Sequence, residues 1–397
     1  MITLLEQSER LIANVTLDFK RFLFHAVKWD NRLIGIKGAR GTGKTTLLLQ
    51  WIKEQNLAVE KAAYFSLDDL YFSANSLKDT VAQFYKNGGT LLVLDEVHKY
   101  KNWSLEIKNA HDFFPDLKII FTGSSIIDIS KQEGDLSRRA LMYELPGLSY
   151  REYLSMRGII DLPTIRLNDL LFNPTAIKKE IPKDFRPLAH FDNYINFGYY
   201  PFGLEDMLSV HQRINQLIRT IVEVDMAELQ DFDIRNAKKL FQLIYVVAQQ
   251  VPFKPNITSL AAKTGMHRNT LNNYLHYLEQ AKIIYLLYPA GNSIAVLQKP
   301  EKIVLNNTTL LNALAEQKPV IGTLRETFFL SQLQPIHKVQ LPKKGDFLVN
   351  DTFTFEVGGK TKGQKQISGL ENAWVVKDDI ELPMLNTIPL WMFGLLY

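Results

Sequence analysis

The sequence predicts an α/β fold over residues 1–150, on three observations. From Arg32 to Leu148, short apolar runs alternate with helical stretches, the pattern of a mostly parallel sheet with helices on both faces. The run Leu91–Leu94 is apolar at every position, as suits a central strand buried on both sides. Finally, a glycine-rich segment, residues 38–45, lies between an apolar strand and an apolar helix, where a tight turn presents backbone amides at a helix N-terminus.

Taken in order, Met1–Val15 reads as an amphipathic helix, with Glu6, Glu9 and Arg10 among apolar residues and none of the layout of a secretory leader. Predicted strands are Leu33–Lys37, Ala62–Leu67, Leu91–Leu94, Lys118–Thr122 and Leu141–Leu145, with a helix at Lys44–Glu54. Past Pro146 the pattern changes to a polar stretch punctuated by Pro163, Pro174, Pro182 and Pro187, then to long helical segments from Val210 to Gln249. Val251–Asn256 carries two prolines and reads as a connector. A helix-turn-helix pattern follows at residues 257–288, and beyond Lys299 the sequence becomes mixed and β-rich. The domains expected are therefore 1–150, 151–298 and 299–397.

With 46 Lys+Arg against 42 Asp+Glu over 397 residues, the net charge of +4 argues against broad electrostatic capture of nucleic acid or anionic membrane. There is no cysteine, which excludes disulfides, thiolate metal sites and a cysteine nucleophile. No apolar run reaches the roughly 18 residues a bilayer span needs. The expectation is a soluble, cytoplasmic protein without a membrane partner.

Residues 38–45 (Gly38, Ala39, Arg40, Gly41, Thr42, Gly43, Lys44, Thr45) form a complete G-x-x-x-x-G-K-[ST], continued by Thr46 into the helix. Glycines let the backbone curl so that amides face phosphate oxygens, Lys44 reaches the terminal phosphates, and Thr45 supplies a hydroxyl to Mg²⁺. The strand ending in Asp95-Glu96 provides the second part. Asp95 is expected to complete the Mg²⁺ shell and Glu96 to orient the attacking water, since phosphoryl transfer depends chiefly on positioning and charge stabilisation. Lys118–Phe121 runs into Thr122-Gly-Ser124-Ser125, where Ser124, and after it Ser125, is the candidate sensor of the terminal phosphate. Arg138 and Arg139 precede the last strand and are candidates for stabilising transition-state charge, in cis or from a neighbouring subunit of an oligomer. The cofactors expected are ATP and Mg²⁺.

Together these motifs resemble the AAA-like P-loop ATPases of the bacterial and archaeal STAND-related group, which carry a large C-terminal domain of unknown function. The resemblance rests on Gly35–Thr46, Tyr64–Asp69, Leu94–His98, Thr122–Ser125, Leu136–Ala140 and Leu145–Tyr153, and continues weakly at Tyr194–Pro201 and Gly322–Phe328. It implies an ATPase domain of the additional-strand class, with Lys44, Thr45, Asp95 and Glu96 in the roles above. Members often show Leu-x-Gly-Arg before the last strand; here Arg138 replaces the glycine, so Arg139 matches the arginine.

In the helix-turn-helix segment, Leu271, Tyr274, Leu275 and Leu278 repeat at three and four, forming one buried stripe. The opposite face offers Arg268, Asn269, Asn272, Asn273 and His276, and Ile283–Tyr288 follows as a wing strand, so the expectation is a winged helix. Lys263, Arg268 and Lys282 exceed Glu279 by two charges. Both DNA contact through Arg268, Asn269 and Asn272 and docking of a protein partner remain open. Near the C-terminus, two strands carrying Asp346 and Glu356 resemble a restriction-endonuclease-like fold, in which acids and a lysine surround a divalent metal. Here Gly358 occupies the place of that lysine and Lys360 lies two positions on, about 13 Å from Glu356 along an extended strand. A glycine bulge would bring Lys360 back; otherwise the domain is a degenerate relative of the nucleases.

Overall fold

The computed structural model describes the chain apart from residues 125–135, 137, 229–231, 251–256, 292–299 and 385. Ser125 and the connector Val251–Asn256 therefore lie outside the described residues. The chain divides into two compact units, Met1–Gly147 and Leu148–Tyr397.

The first unit is built on a five-stranded parallel sheet: β1 (Leu33–Gly38), β2 (Ala62–Ser66), β3 (Leu91–Asp95), β4 (Lys118–Ser124) and β5 (Leu141–Glu144). Spatially the order is β2-β3-β4-β1-β5, so β4 is inserted between the strands that carry the glycine-rich loop and the acidic pair. Helices cover both faces because the strands are apolar on both: Leu92, Leu94, Ile119 and Phe121 point to one layer with Trp103 and Ile107, while Ile34, Ile36, Val93 and Ile120 point to the other with Leu47, Leu48 and Ile52. The N-terminal helix Ile2–Asn14 is tied in by Ser8, whose buried hydroxyl accepts from the Tyr64 amide at 2.8 Å.

The second unit contains the helices Tyr150–Met156, Leu188–Phe197, Val210–Thr220, Ala237–Gln250, Ile257–Thr264 and Arg268–Gln280. The last two are separated by Gly265, at φ 62, and are followed by an antiparallel pair, β6 (Ile284–Leu287) with β7 (Lys302–Leu305). A mixed five-stranded sheet completes the unit, in the order β12-β11-β10-β9-β8: β8 (Val339–Gln340), β9 (Phe347–Val349), β10 (Phe353–Gly358), β11 (Ala373–Lys377) and β12 (Thr387–Pro389). The strands β10, β11 and β12 pair in parallel, and β8 and β9 are antiparallel. The helix Ile321–Leu333 lies on this sheet, with Phe329 packed among Phe347, Phe355 and Phe393. Among the described residues, no helix is long and apolar enough to cross a membrane.

The start of the second unit is held by a capping box. Ser149 accepts from the Glu152 amide at 3.1 Å, Glu152 accepts from the Ser149 amide at 3.2 Å, and the Ser149 hydroxyl donates to the carbonyl of Tyr397 at 2.5 Å. All of these groups are buried. Ser149→Ala is expected to lower the stability of this unit by about 1–3 kcal/mol, since it removes a helix cap and leaves buried groups unpaired. A urea titration followed by tryptophan fluorescence checks it; a midpoint equal to wild type would show the cap to be dispensable.

Candidate nucleotide site

The glycine-rich loop leaves β1 at Gly38 and enters the helix Lys44–Glu54 at Gly43. A side chain at Gly38 would meet the Leu145 carbonyl oxygen at 2.4 Å, so the loop passes too close to the end of β5 for any other residue. Gly43 takes φ 92 at the helix N-cap, a left-handed conformation that turns the backbone into the helix. Within the loop, Thr42 donates to the Ala39 carbonyl at 2.9 Å, and Lys44 folds over it, donating to the carbonyls of Gly38 and Ala39 at 3.0 and 3.1 Å. Arg40 and Gly41 are partly buried, and Thr46 faces solvent.

The strand order brings Asp95 to this loop. Its carboxylate accepts from the Thr45 hydroxyl at 2.6 Å, from the Tyr64 hydroxyl at 2.6 Å and from the Thr122 hydroxyl. Asp95 thus joins β2, β3, β4 and the loop helix at one point. Burial, and next the Asp95 carboxylate, raises the Tyr64 phenol well above its ordinary value, so Tyr64 stays a donor. A hydroxyl and a carboxylate oxygen in contact form a donor set suited to Mg²⁺, which takes oxygen ligands and retains waters and phosphate oxygens in its shell.

Glu96 follows in a left-handed conformation, φ 51, costly for a residue with a side chain, and its amide donates to Asp95 Oδ1 at 3.1 Å and Thr122 Oγ1 at 3.2 Å. Its carboxylate is 3.2 Å from Nε2 of His98, whose Nδ1 accepts from the Ser124 amide at 3.3 Å. Burial, then the cations Lys99, Lys44 and Arg40, push the imidazole pKa down to about 3, so His98 is neutral.

Sequence reasoning therefore singles out the loop, Asp95 and Glu96, all of which come together, but gives no role to Tyr64 or His98, and reaches Thr122 only as part of the sensor stretch Thr122–Ser125, where it prefers Ser124. The signal for Thr122 is that it opens this run of small hydroxyl residues directly after the apolar run Ile119–Phe121. For Tyr64 and His98 none does without the strand order. Ser124 contributes a backbone amide to His98; it is the Thr122 hydroxyl, not that of Ser124, that reaches the acidic pair.

Arg139 needs correcting as a group acting in cis. It forms a two-pronged pair with Asp112, at 2.8 and 2.9 Å, at the end of the helix Trp103–Phe113. It immediately precedes β5, whose Leu141 pairs with Ile34 near the start of β1, whereas the glycine-rich loop leaves the other end of that strand. Arg139 is thus at the opposite end of the strands from the loop of its own chain. Arg138 is exposed.

In the second unit, Arg268, Asn269, Asn272, Asn273 and His276 are exposed, and Leu271, Tyr274, Leu275 and Leu278 are buried. The nuclease-like residues require a second correction. The lysine beside Glu356 is Lys362, at 2.5 Å, and Lys360 is exposed. A turn closed by the Lys362 amide onto the Gly359 carbonyl brings the chain back. Gly358 is what makes room, since a Cβ there would lie 2.6 Å from the Lys362 side chain. Asp346 accepts from the Val357 amide at 2.8 Å, and Glu326 on the neighbouring helix pairs with Lys302 at 2.7 Å. Among the described residues, no three His, Cys, Asp or Glu side chains are grouped to hold a metal ion.

Burial, offset by Lys362, raises the Glu356 pKa above its ordinary value. A carboxyl with a higher pKa folded than unfolded binds more protons in the folded state, so its contribution to stability falls as pH rises from about 4.3 through the folded pKa. Lys362→Met removes the compensating charge and is expected to cost about 3 kcal/mol at pH 8, the lower end for a broken buried pair, because Lys362 is partly exposed. The deficit relative to wild type should shrink at pH 5, where Glu356 takes a proton. Urea titrations at the two pH values check it; a deficit that is the same at both would show that Lys362 does not set the protonation of Glu356.

A family model described as an AAA domain matches residues 30–154, and one described as a domain of unknown function, DUF8612, matches residues 188–321. The uncharacterized protein MJ1637 of Methanocaldococcus jannaschii is 30% identical over 369 residues, spanning 84% of this chain and 77% of that one. Solved structures overlap loosely. AMPPCP-bound DnaA from Aquifex aeolicus matches at 15% identity over 69% of this chain and 86% of its own, with a TM-score of 0.31. PCH-2 of C. elegans matches at 15% identity over 68% of each chain, with a TM-score of 0.26. With the parallel sheet, the glycine-rich loop and the AAA match in agreement, the chain belongs to the same family as the Methanocaldococcus jannaschii protein and carries an AAA-type nucleotide-binding domain in its first unit.

Proposed function

We propose that the protein is a Mg²⁺-dependent ATPase whose nucleotide state controls the second unit. The observation that carries this reading is the meeting of the loop hydroxyl of Thr45 with the strand carboxylate of Asp95, with Glu96 next in the chain. Residues 38–46 bind the phosphates through backbone amides, and Lys44 exchanges its loop carbonyls for phosphate oxygens. Thr45 and Asp95 hold Mg²⁺, which neutralises charge on the phosphates when bound. Glu96 accepts the proton of the attacking water as the water oxygen bonds to the γ-phosphorus and the bond to the ADP oxygen breaks.

Control of the second unit is supported by Arg21, which is buried and donates to the Thr42 carbonyl at 2.6 Å and to the carbonyls of Pro146 and Gly147 at 2.7 and 2.8 Å. A single guanidinium thus ties the phosphate loop to the last residues before the second unit begins. Arg139, paired with Asp112, would act on a neighbouring subunit's nucleotide in an oligomer only by exchanging that partner.

Lys44→Ala is expected to weaken nucleotide binding at least tenfold, and Glu96→Gln to retain binding while lowering kcat about 10²-fold or more, as loss of a group acting in the transition state does. Phosphate release and fluorescent-nucleotide binding measure the two effects. Turnover by Glu96→Gln equal to wild type would remove Glu96 from the mechanism, and absence of turnover by wild type would remove hydrolysis.

A second reading is favoured by the exposed face of the helix Arg268–Gln280: a nucleotide-gated switch that binds duplex DNA through Arg268, Asn269 and Asn272. It predicts duplex binding that weakens with salt, with a slope reduced by about one in Arg268→Ala, and an affinity that ATP changes in wild type and not in Lys44→Ala. Absence of binding at low salt would assign the same face to a protein partner.

A further inference from the structure

The pair Glu96–His98 bears on how the ATPase site is set. Glu96 is fixed at its backbone by Asp95 and Thr122, yet its side chain is 28% exposed and has several rotatable bonds. His98 lies on the short 3-10 turn Val97–Lys99 directly after it, with its side chain 0% exposed. Because Nδ1 accepts from the Ser124 amide, a neutral ring carries its proton on Nε2. That nitrogen is buried without a hydrogen bond of ordinary geometry, and the Glu96 carboxylate oxygen Oε2 stands 3.2 Å from it. An unsatisfied buried N–H costs free energy, and a modest rotation of the carboxylate relieves it. The buried Nε2–H thus offers the Glu96 carboxylate a fixed donor at Oε2.

We propose that His98 is a positioning residue that holds Glu96 in the orientation needed to receive the proton of water, an inference that rests on the ATPase reading and deepens it. The chain of contacts runs from the end of β4 through the Ser124 amide to both ring nitrogens and on to the carboxylate. Displacement of the β4 end then reorients Glu96, so the residue joins the strand beside the phosphate loop to the group that activates water. The ring takes no proton in this role; it donates one hydrogen bond and accepts another.

The test uses the full chain. His98→Asn keeps an acceptor near the Ser124 amide and lacks a donor that reaches Glu96; it should lower kcat at least tenfold with KM for ATP and ADP affinity within twofold of wild type. His98→Gln, whose amide reaches toward the Nε2 position, should recover at least a third of the wild-type kcat. Independently of turnover, ¹⁵N-histidine spectra of the wild type should show His98 as the Nε2–H tautomer, and Glu96→Gln should shift its Nε2 resonance more than its Nδ1 resonance. An unchanged kcat in a folded His98→Asn, a loss shared equally by kcat/KM and nucleotide affinity, no recovery in His98→Gln, or an Nδ1–H tautomer overturns the inference and leaves the ATPase reading intact. No turnover by wild type under any condition overturns both.

Discussion

The first unit depends on one carboxylate. Asp95 ends β3 with the helix of the phosphate loop on one side, β2 on another and β4 on a third, and a hydroxyl from each reaches it: Thr45, Tyr64 and Thr122. A buried carboxylate is tolerated only with such a set of donors. Each donor comes from a different element, so satisfying Asp95 requires the strand order β2-β3-β4-β1 and the loop position together. Requirements of the fold and of the site coincide at this residue, since the arrangement that pairs the buried carboxylate with three hydroxyls is also the one that prepares oxygen ligands for a cation.

How much of this was legible follows from what kind of information each feature needs. The five strands of the first sheet and the helix Lys44–Glu54 follow from local apolar runs and a glycine-rich turn, because parallel strands buried on both faces are read from composition alone. The residues of the loop, Asp95 and Glu96 are legible for the same reason: they sit at ends of those elements. Tyr64 and His98 are not, because their roles exist only across strands. Tyr64 pairs in register with Val93, two residues before Asp95, and reaches the carboxylate only once β2 lies beside β3. Arg139 shows the opposite failure. Its motif position suggests the site, yet the chain direction of β5 carries it to the other end of the sheet, where Asp112 holds it.

In the second unit, the departure from the nuclease-like pattern has a structural resolution. A lysine on the same strand as Glu356 would replace Gly358, and the backbone there has space for no Cβ because the side chain of Lys362 fills it. The ammonium therefore arrives on a turn instead of on the strand, and it binds Glu356 as a neutralising partner. Counting residues along an extended strand cannot show this, because the returning segment adds contacts that spacing omits. A cationic group thus stands beside the buried acid, though not at the position that strand spacing indicates.

Arg21 closes the argument about coupling. A guanidinium does not lose its charge in proteins, so burying it requires acceptors at fixed positions. Carbonyls of Thr42, Pro146 and Gly147 are among them, two regions more than a hundred residues apart in the chain. Carbonyls can turn toward or away from the cation, unlike a carboxylate that would hold it by charge. Any rearrangement of the phosphate loop that turns the Thr42 carbonyl takes one acceptor from this buried charge. In the proposed function, this shared guanidinium is the link by which a change in the loop would reach Gly147.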